Sequence, residues 1–137
     1  FDAIIRSYEH AFEAIMEEPA IPPATRLGNL CVLILDDIGT RRTTRIFPEL
    51  WALSNHDPFV AERMYDMYGR ARAALMRAIR QVCPTMSDRE VKLTGLFMSS
   101  AMEGVGIFAG HGKPYAADMG EITRIAVRAF VCICETG

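Results

Sequence analysis

Apolar and polar residues alternate along most of the chain with the period of an α-helix. In the first segment, Phe1, Ile5, Tyr8 and Phe12 recur at spacings of three and four, and charged side chains occupy the positions between them. This pattern turns one apolar face toward a core and leaves a polar face in water. Pro19 ends the predicted helix, because proline has no amide hydrogen to donate inside a helix.

Proline and glycine mark the next two helices. Pro22 and Pro23 open a second helix, since proline fits the first helical turn, where its missing amide hydrogen is not needed. An apolar run in the middle of this helix predicts deep burial, and Gly39 is the expected residue after its end. A polar stretch then leads to a short third helix, predicted over residues 47–54 with Pro48 in its first turn.

Polar caps define the next two helices. Asp57, which is followed by proline, is the predicted N-cap of the longest helix, over residues 59–83. Ser87 and Glu90 form a capping box, in which the two residues satisfy free amides at the start of a helix. This fifth helix is predicted to reach about Ala109.

The sixth helix is predicted over residues 115–135, after a glycine-rich loop. No stretch of the chain shows the strict alternation of a half-buried strand. The predicted fold class is therefore all-α, a bundle of about six helices. The 137 residues suit one domain with a sizeable core, and the range 1–137 is interpreted as that single domain.

Composition and charge narrow the range of functions. The net charge is −2 and the pI is about 5.9. Proteins that bind DNA gain much of their affinity by neutralising phosphates with basic side chains, so this segment is not expected to bind DNA itself. The four cysteines lack C-x-x-C spacing and are interpreted as small buried residues in a reducing cytoplasm. No apolar run reaches the roughly 20 residues of a membrane span, so a cytoplasmic location without a membrane partner is expected.

Groups that could carry catalysis or bind a metal are scattered. The three histidines, His10, His56 and His111, lie on separate predicted elements and form no H-x-x-x-H pair. The sequence contains no nucleophile motif, P-loop or dinucleotide fingerprint. No catalytic residue, metal site or cofactor is predicted, and the protein is not expected to be an enzyme. A helical enzyme without a recognisable motif is kept as a distant alternative.

Aromatic and methionine residues are spread over five of the predicted helices. Such residues suit either a single packed core or an adaptable apolar cavity with a few polar anchors, and both interpretations stay open. The candidate pocket residues are Tyr8, Phe12, Phe47, Trp51, Met64, Met67, Tyr68, Phe97 and Ser100.

Glu103 interrupts an apolar run in the fifth helix. It has three interpretations: exposure at the helix edge, contact with a partner helix, or contact with a ligand. Gly95, Ser99 and Gly106 belong to a narrow face of small residues on the same helix. Glycine inside a helix costs roughly 1 kcal/mol relative to alanine, so a close approach of another helix is expected there.

Three stretches, in this order, resemble the effector-binding domain of TetR-family transcriptional regulators. The first is residues 47–53, with the sequence FPELWAL, followed by Asp57 and Pro58. The second is the long helix with Tyr65 and Tyr68. The third is similar to the family's last two helices and comprises Leu96, Phe97, Met102, Glu103, Gly104 and Phe108. The resemblance covers nearly the whole chain.

The resemblance implies an all-α regulator, expected to be a repressor, that senses a small and largely apolar effector. In this family an N-terminal helix-turn-helix binds operator DNA, and residues 1–137 do not include those helices. This segment is therefore expected to bind effector and to form a homodimer, with DNA contacted only through the N-terminal domain. A helical protein-interaction module without a ligand is the alternative.

Dimers of this family typically form a four-helix bundle from the last two helices of each subunit. The small-residue face of the fifth helix and the apolar stripe of the sixth are the expected interface. Its candidate residues are Gly95, Ser99, Met102, Glu103, Gly106, Ile122, Ala126, Ala129 and Phe130.

Overall fold

The computed structural model describes residues 2–137 as six α-helices joined by short connections. The helices are α1 (Asp2–Glu17), α2 (Pro23–Ile38), α3 (Arg41–Ser54), α4 (Pro58–Val82), α5 (Asp88–Ala109) and α6 (Met119–Thr136). No β-strand occurs within this range, so the predicted all-α bundle of about six helices is confirmed. Phe1, predicted as part of the first helix, lies outside the described residues. No helix in residues 2–137 is long and apolar enough to cross a membrane.

Two predicted N-caps are present. The Asp57 carboxylate accepts hydrogen bonds from the amides of Phe59 at 3.0 Å and Val60 at 3.3 Å, at the start of α4. At the start of α5, the Ser87 hydroxyl accepts from the Glu90 amide at 3.1 Å and donates to the Glu90 carboxylate at 2.9 Å. Each cap satisfies amides that a helix start leaves free, which typically stabilises a helix by about 1 kcal/mol.

Two helix starts differ from the prediction. α3 begins at Arg41, and the Thr40 side chain caps it, so the stretch predicted as a polar connection forms the first turns of this helix. Pro48 therefore lies inside α3, where its missing amide removes one backbone hydrogen bond, and not in the first turn. The last helix begins at Met119, after a 3₁₀ turn over Ala116–Asp118.

α4 is the central helix and contacts α1, α2, α3 and α5. Its apolar side joins two groups of buried residues. The larger group lies mainly between α2, α4, α5 and α6 and includes Leu27, Leu35, Leu75, Ile79, Met98, Met102 and Phe130. The smaller group joins α1, α3 and α4 through Ile5, Phe47, Val60, Met64 and Met67. α1 and α3 thus depend on α4 for much of their packing.

Small residues on α5 allow helices of the same chain to approach it closely. A Cβ atom added at Gly95 would lie 3.1 Å from Met76 Cγ of α4, and one added at Gly106 would lie 2.8 Å from Ile38 Cγ2 of α2. The expected close approach is therefore present. The approaching helices, however, belong to the same chain and not to a partner subunit.

Three ion pairs connect the exposed edges of α1 and α4. They are Asp2–Arg63, Glu9–Arg70 and Glu13–Arg77. In the middle pair, Arg70 donates to both oxygens of Glu9, at 2.7 and 3.4 Å. Exposed ion pairs of this kind contribute about 0–1 kcal/mol each, so they align the two helices more than they stabilise them.

Candidate ligand-binding site

A first cavity of about 270 Å³ lies between α1, α2, α3, α4 and α5. These helices turn parts of their apolar stripes toward it. The apolar lining comprises Ala11, Phe12, Leu33, Ile34, Ile38, Phe47, Met67, Ala71 and Leu75. The polar lining comprises Ser7, Tyr8, Asp37, Arg42, Thr43, Tyr68, Arg72, Ser99 and Glu103. An apolar wall interrupted by convergent polar groups is typical of a small-molecule site.

Asp37 organises one side of the first cavity. The Tyr8 hydroxyl of α1 donates to Asp37 Oδ2 at 2.8 Å, and the Thr43 hydroxyl of α3 donates to the same oxygen at 3.1 Å. Arg42 lies 4.0 Å from the other oxygen, Oδ1. Burial raises the pKa of Tyr8 to about 12, with the Asp37 carboxylate adding to the effect, so the hydroxyl keeps its proton near neutral pH. The Asp37 carboxylate of α2 thus connects α1 to α3 through hydrogen bonds.

Glu103, on α5, also lines the first cavity. Among residues 2–137, no basic group lies within 4.0 Å of its carboxylate. The pKa of Glu103 is raised to about 7, mainly by burial; a hydrogen bond from the Tyr68 hydroxyl lowers it in part, and the charge of Asp37 adds to the rise. Burial and the charge of Glu103 also raise the pKa of Tyr68 well above its usual value. Glu103 is therefore poised between its charged and neutral forms at neutral pH.

A second cavity of about 320 Å³ lies on the other side of Phe47, between α3 and α5. The residues that line this cavity alone are Thr44, Pro48, Trp51, Gly104, Gly106 and Ile107. The Trp51 ring lies 5.1 Å from the Tyr68 ring and 5.8 Å from the Tyr65 ring, measured between centroids. Trp51 thus links the second cavity to aromatic residues of α4.

The sequence of the chain matches a known family over most of its length. A family model described as the C-terminal domain of BetI-type transcriptional repressors matches residues 23–131. This chain belongs to that branch of the TetR family. Comparison with curated proteins and with solved structures gives no significant match. The BetI-type match agrees with the resemblance seen in the order of sequence motifs and with the all-helical fold.

Of the predicted pocket residues, the BetI-type fold brings most to the two cavities. Tyr8, Phe12, Phe47, Met67 and Tyr68 line the first cavity, and Trp51 together with Phe47 lines the second. The structure places the other three elsewhere: Met64 is fully buried in the core, and Phe97 and Ser100 are exposed on α5.

The residues predicted for the dimer interface are mostly not on a free surface of this BetI-type domain. Gly95, Met102 and Phe130 are buried within one chain, and Ser99 and Glu103 line the first cavity. Gly106 packs against α2, Ile122 and Ala126 are half-buried, and Ala129 is exposed. Glycine and serine positions mark close packing without saying which helix approaches, so the dimer interface stays a prediction.

Several wall residues were not identified from the sequence. No recognisable motif contains Asp37, Arg42, Thr43 or Arg72, and Arg42 and Thr43 belong to the polar stretch that was predicted to lead into the third helix. One signal was available for Asp37. Asp36 and Asp37 are adjacent near the end of a helix with an apolar middle, and adjacent helical side chains point in directions about 100° apart. Asp36 is exposed and Asp37 is half-buried against the cavity.

The cysteines are all free thiols in residues 2–137. Cys31 and Cys134 are buried, Cys83 is half-buried, and Cys132 is exposed. Burial raises the pKa of Cys31 to about 12 and that of Cys134 to about 11. The interpretation as small buried residues is therefore confirmed for these two alone. The same range contains no group of three or more metal-ligating side chains.

Proposed function

We propose that this domain is the effector-binding and dimerisation part of a ligand-responsive transcriptional repressor. Its effector is a small, largely apolar molecule that occupies the first cavity. The observation that carries this proposal is the half-buried carboxylate of Glu103 in a largely apolar wall that also contains the Tyr8–Asp37–Thr43 hydrogen bonds. Removing polar groups from water without full compensation is costly, so a wall of this composition favours binding over simple packing.

Effector binding would act on α1. This helix supplies Ser7, Tyr8, Ala11 and Phe12 to the cavity wall, and its other contacts are with α4 and α2. An effector that separates Tyr8 from Asp37 favours a different position of α1 against α2. The proposal includes an N-terminal helix-turn-helix domain in the complete regulator, which α1 would connect to the cavity. The net charge of −2 supports assigning DNA contact to that separate domain.

The proposed regulator is a cytoplasmic homodimer whose subunits meet through α5 and α6. Both helices carry exposed apolar residues: Leu93, Leu96, Phe97, Ile107 and Phe108 on α5, and Ile125 and Ile133 on α6. We call these residues the exposed strip. On α5, Leu96 and Phe97 follow Leu93 by three and four residues. Ile107 and Phe108 lie about three helical turns beyond Phe97, so the five residues share one helical face. Exposed apolar surfaces of this kind commonly mark sites of protein association.

The exposed strip also favours a second candidate function, that of an interaction module without an effector. The two functions differ in what the first cavity does. Ala71 on α4 lines this cavity, whereas Ala73 on the same helix is exposed. Ala71→Phe should fill the cavity, and Ala73→Phe adds the same side chain on the surface as a matched control.

The test is titration of the purified chain with a panel of small apolar and amphipathic compounds. Fluorescence of Trp51, the single tryptophan, and isothermal titration calorimetry report binding. We expect at least one compound to bind the wild type and the Ala73→Phe variant, and to bind the Ala71→Phe variant far more weakly. Absence of binding across the panel, with association through the exposed strip retained, would support the interaction module instead.

A further inference from the structure

We propose that the two cavities act as one bent binding site for an elongated amine, whose N–H group is held at Glu103 with an apolar arm in each cavity. This inference rests on the proposed function and specifies its ligand. Both cavities are lined by Ile38, Thr43, Phe47 and Glu103, so the two spaces adjoin and share this part of their wall. Glu103 is the charged residue in that wall.

The volumes favour joint occupation. The first cavity measures about 270 Å³ and the second about 320 Å³. Sites for drug-sized ligands typically span about 300–1,000 Å³, so the first cavity lies below that range and the second lies at its lower end. A ligand that bends around Phe47 would use both spaces and would bury more apolar surface than either cavity allows.

The hydrogen-bonding groups of the wall require a ligand that donates. The Tyr8 and Thr43 hydroxyls already donate to Asp37. The half-buried Glu103 carboxylate pairs with no basic side chain among residues 2–137, and the hydroxyl of Tyr68 is a neutral donor beside it. A protonated amine supplies the positive charge that the wall does not place beside Glu103, and hydrogen bonds between charged groups are stronger than those between neutral groups.

Aromatic rings surround the same position. The Tyr68 ring lies 6.1 Å from the Phe47 ring in an edge-on arrangement and 5.1 Å from the Trp51 ring. Aromatic faces attract cations, and they also accommodate apolar arms on either side of the amine. Arg72 of α4 also lines the first cavity. A ligand with a carboxylate would bind at this residue and not at Glu103.

The experiment compares four compounds: N-benzylhexylamine, its ether analogue benzyl hexyl ether, and the single-arm amines hexylamine and benzylamine. Dissociation constants are measured by Trp51 fluorescence and calorimetry. N-Benzylhexylamine should bind at least about tenfold more tightly than the ether and than either single-arm amine, since a hydrogen bond to a charged group exceeds the energy of a tenfold change. Glu103→Gln should remove the preference for the amine over the ether, and Glu62→Gln, at an exposed carboxylate of α4, should leave it intact.

A second variant tests the bent shape without changing Glu103. Gly104 lines the second cavity, and a Cβ atom added there meets nothing within 4 Å. Gly104→Leu should fill that cavity, reduce N-benzylhexylamine to the affinity of the single-arm amines, and leave those amines unaffected. Equal binding of the ether and the amine by the wild type, or an unchanged two-arm advantage in Gly104→Leu, would overturn this inference while leaving the proposed effector site intact. If none of the four compounds and no member of the broad panel binds, both the proposed function and this inference are wrong.

Discussion

Replacing Glu103 with glutamine should stabilise the domain in weak alkali and change its stability much less in weak acid. Burial raises the pKa of this carboxyl group from 4.5 to about 7, with Asp37 adding to the rise and Tyr68 opposing it. The folded protein therefore binds the Glu103 proton more tightly than the unfolded chain does. The stability that this proton contributes is fully present below pH 4.5 and is lost as the pH rises to about 7.

The size of the effect follows from the two pKa values. A change from 4.5 to about 7 corresponds to roughly 3 kcal/mol of unfolding free energy, at about 1.4 kcal/mol for each tenfold change in proton affinity. Nearly all of this stability is lost through ionisation of Glu103 at about pH 8, whereas less than about 1 kcal/mol is lost at about pH 5. Glutamine has nearly the same shape and stays neutral, so it avoids the cost at both pH values. Tyr8, Arg42 and Arg72 also face the first cavity and are unchanged in the variant.

Urea unfolding of the wild type and of Glu103→Gln at these two pH values measures the difference directly. The variant should be more stable by roughly 2–3 kcal/mol at about pH 8, and the difference should shrink to less than about 1 kcal/mol at about pH 5. Glu62→Gln removes an exposed carboxylate of α4 and serves as the control for net charge. Equal differences at both pH values, or a less stable variant at the higher pH, would show that Glu103 is not a costly buried charge.

Two further predictions concern packing and association. Gly106→Ala should destabilise the domain by about 1–3 kcal/mol, because the added Cβ would lie 2.8 Å from Ile38 Cγ2. Gly69→Ala, with nothing within 4 Å of its added Cβ, should instead stabilise it by up to about 1 kcal/mol in the same urea measurement. In sedimentation velocity at micromolar concentration, the wild type should be a dimer and Phe97→Ser should shift it toward monomer, since Phe97 is 60% exposed. A monomeric wild type, or equal association of the Phe97→Ser variant, would contradict the proposed role of the exposed strip.

Helix ends could be predicted well where the signal is local. Asp57 and Ser87 cap amides only two or three residues away, so the spacing alone identifies them. Gly39 follows α2 as expected, although its φ of −74° is an ordinary right-handed value that does not require glycine. The start of α3 was misplaced, because Pro48 suggested a first turn while the cap at Thr40 lies well upstream. A proline permits a helix start but does not exclude a position inside the helix.

The cavity could be predicted only in part, because its polar contacts join distant residues. Tyr8 was identified as a pocket residue, whereas its partner Asp37 lies 29 residues further along the chain and shares no motif with it. The three interpretations of Glu103 could not be separated from periodicity alone. Its position depends on the rotation of α5, which is set by the contacts of Gly95 with α4 and Gly106 with α2.

Because of this rotation, α5 contributes residues both to the cavities and to the proposed dimer surface. Glu103 faces the two cavities, while Phe97 and Phe108 belong to the exposed strip on the same helix. Ile107 belongs to both surfaces, since it lines the second cavity and is 59% exposed. A ligand that moves Glu103 would therefore move part of the proposed dimer surface, one helical turn away. Coupling of this kind is reciprocal, so an effector that favours one arrangement of the subunits should bind the dimer and the monomer with different affinities.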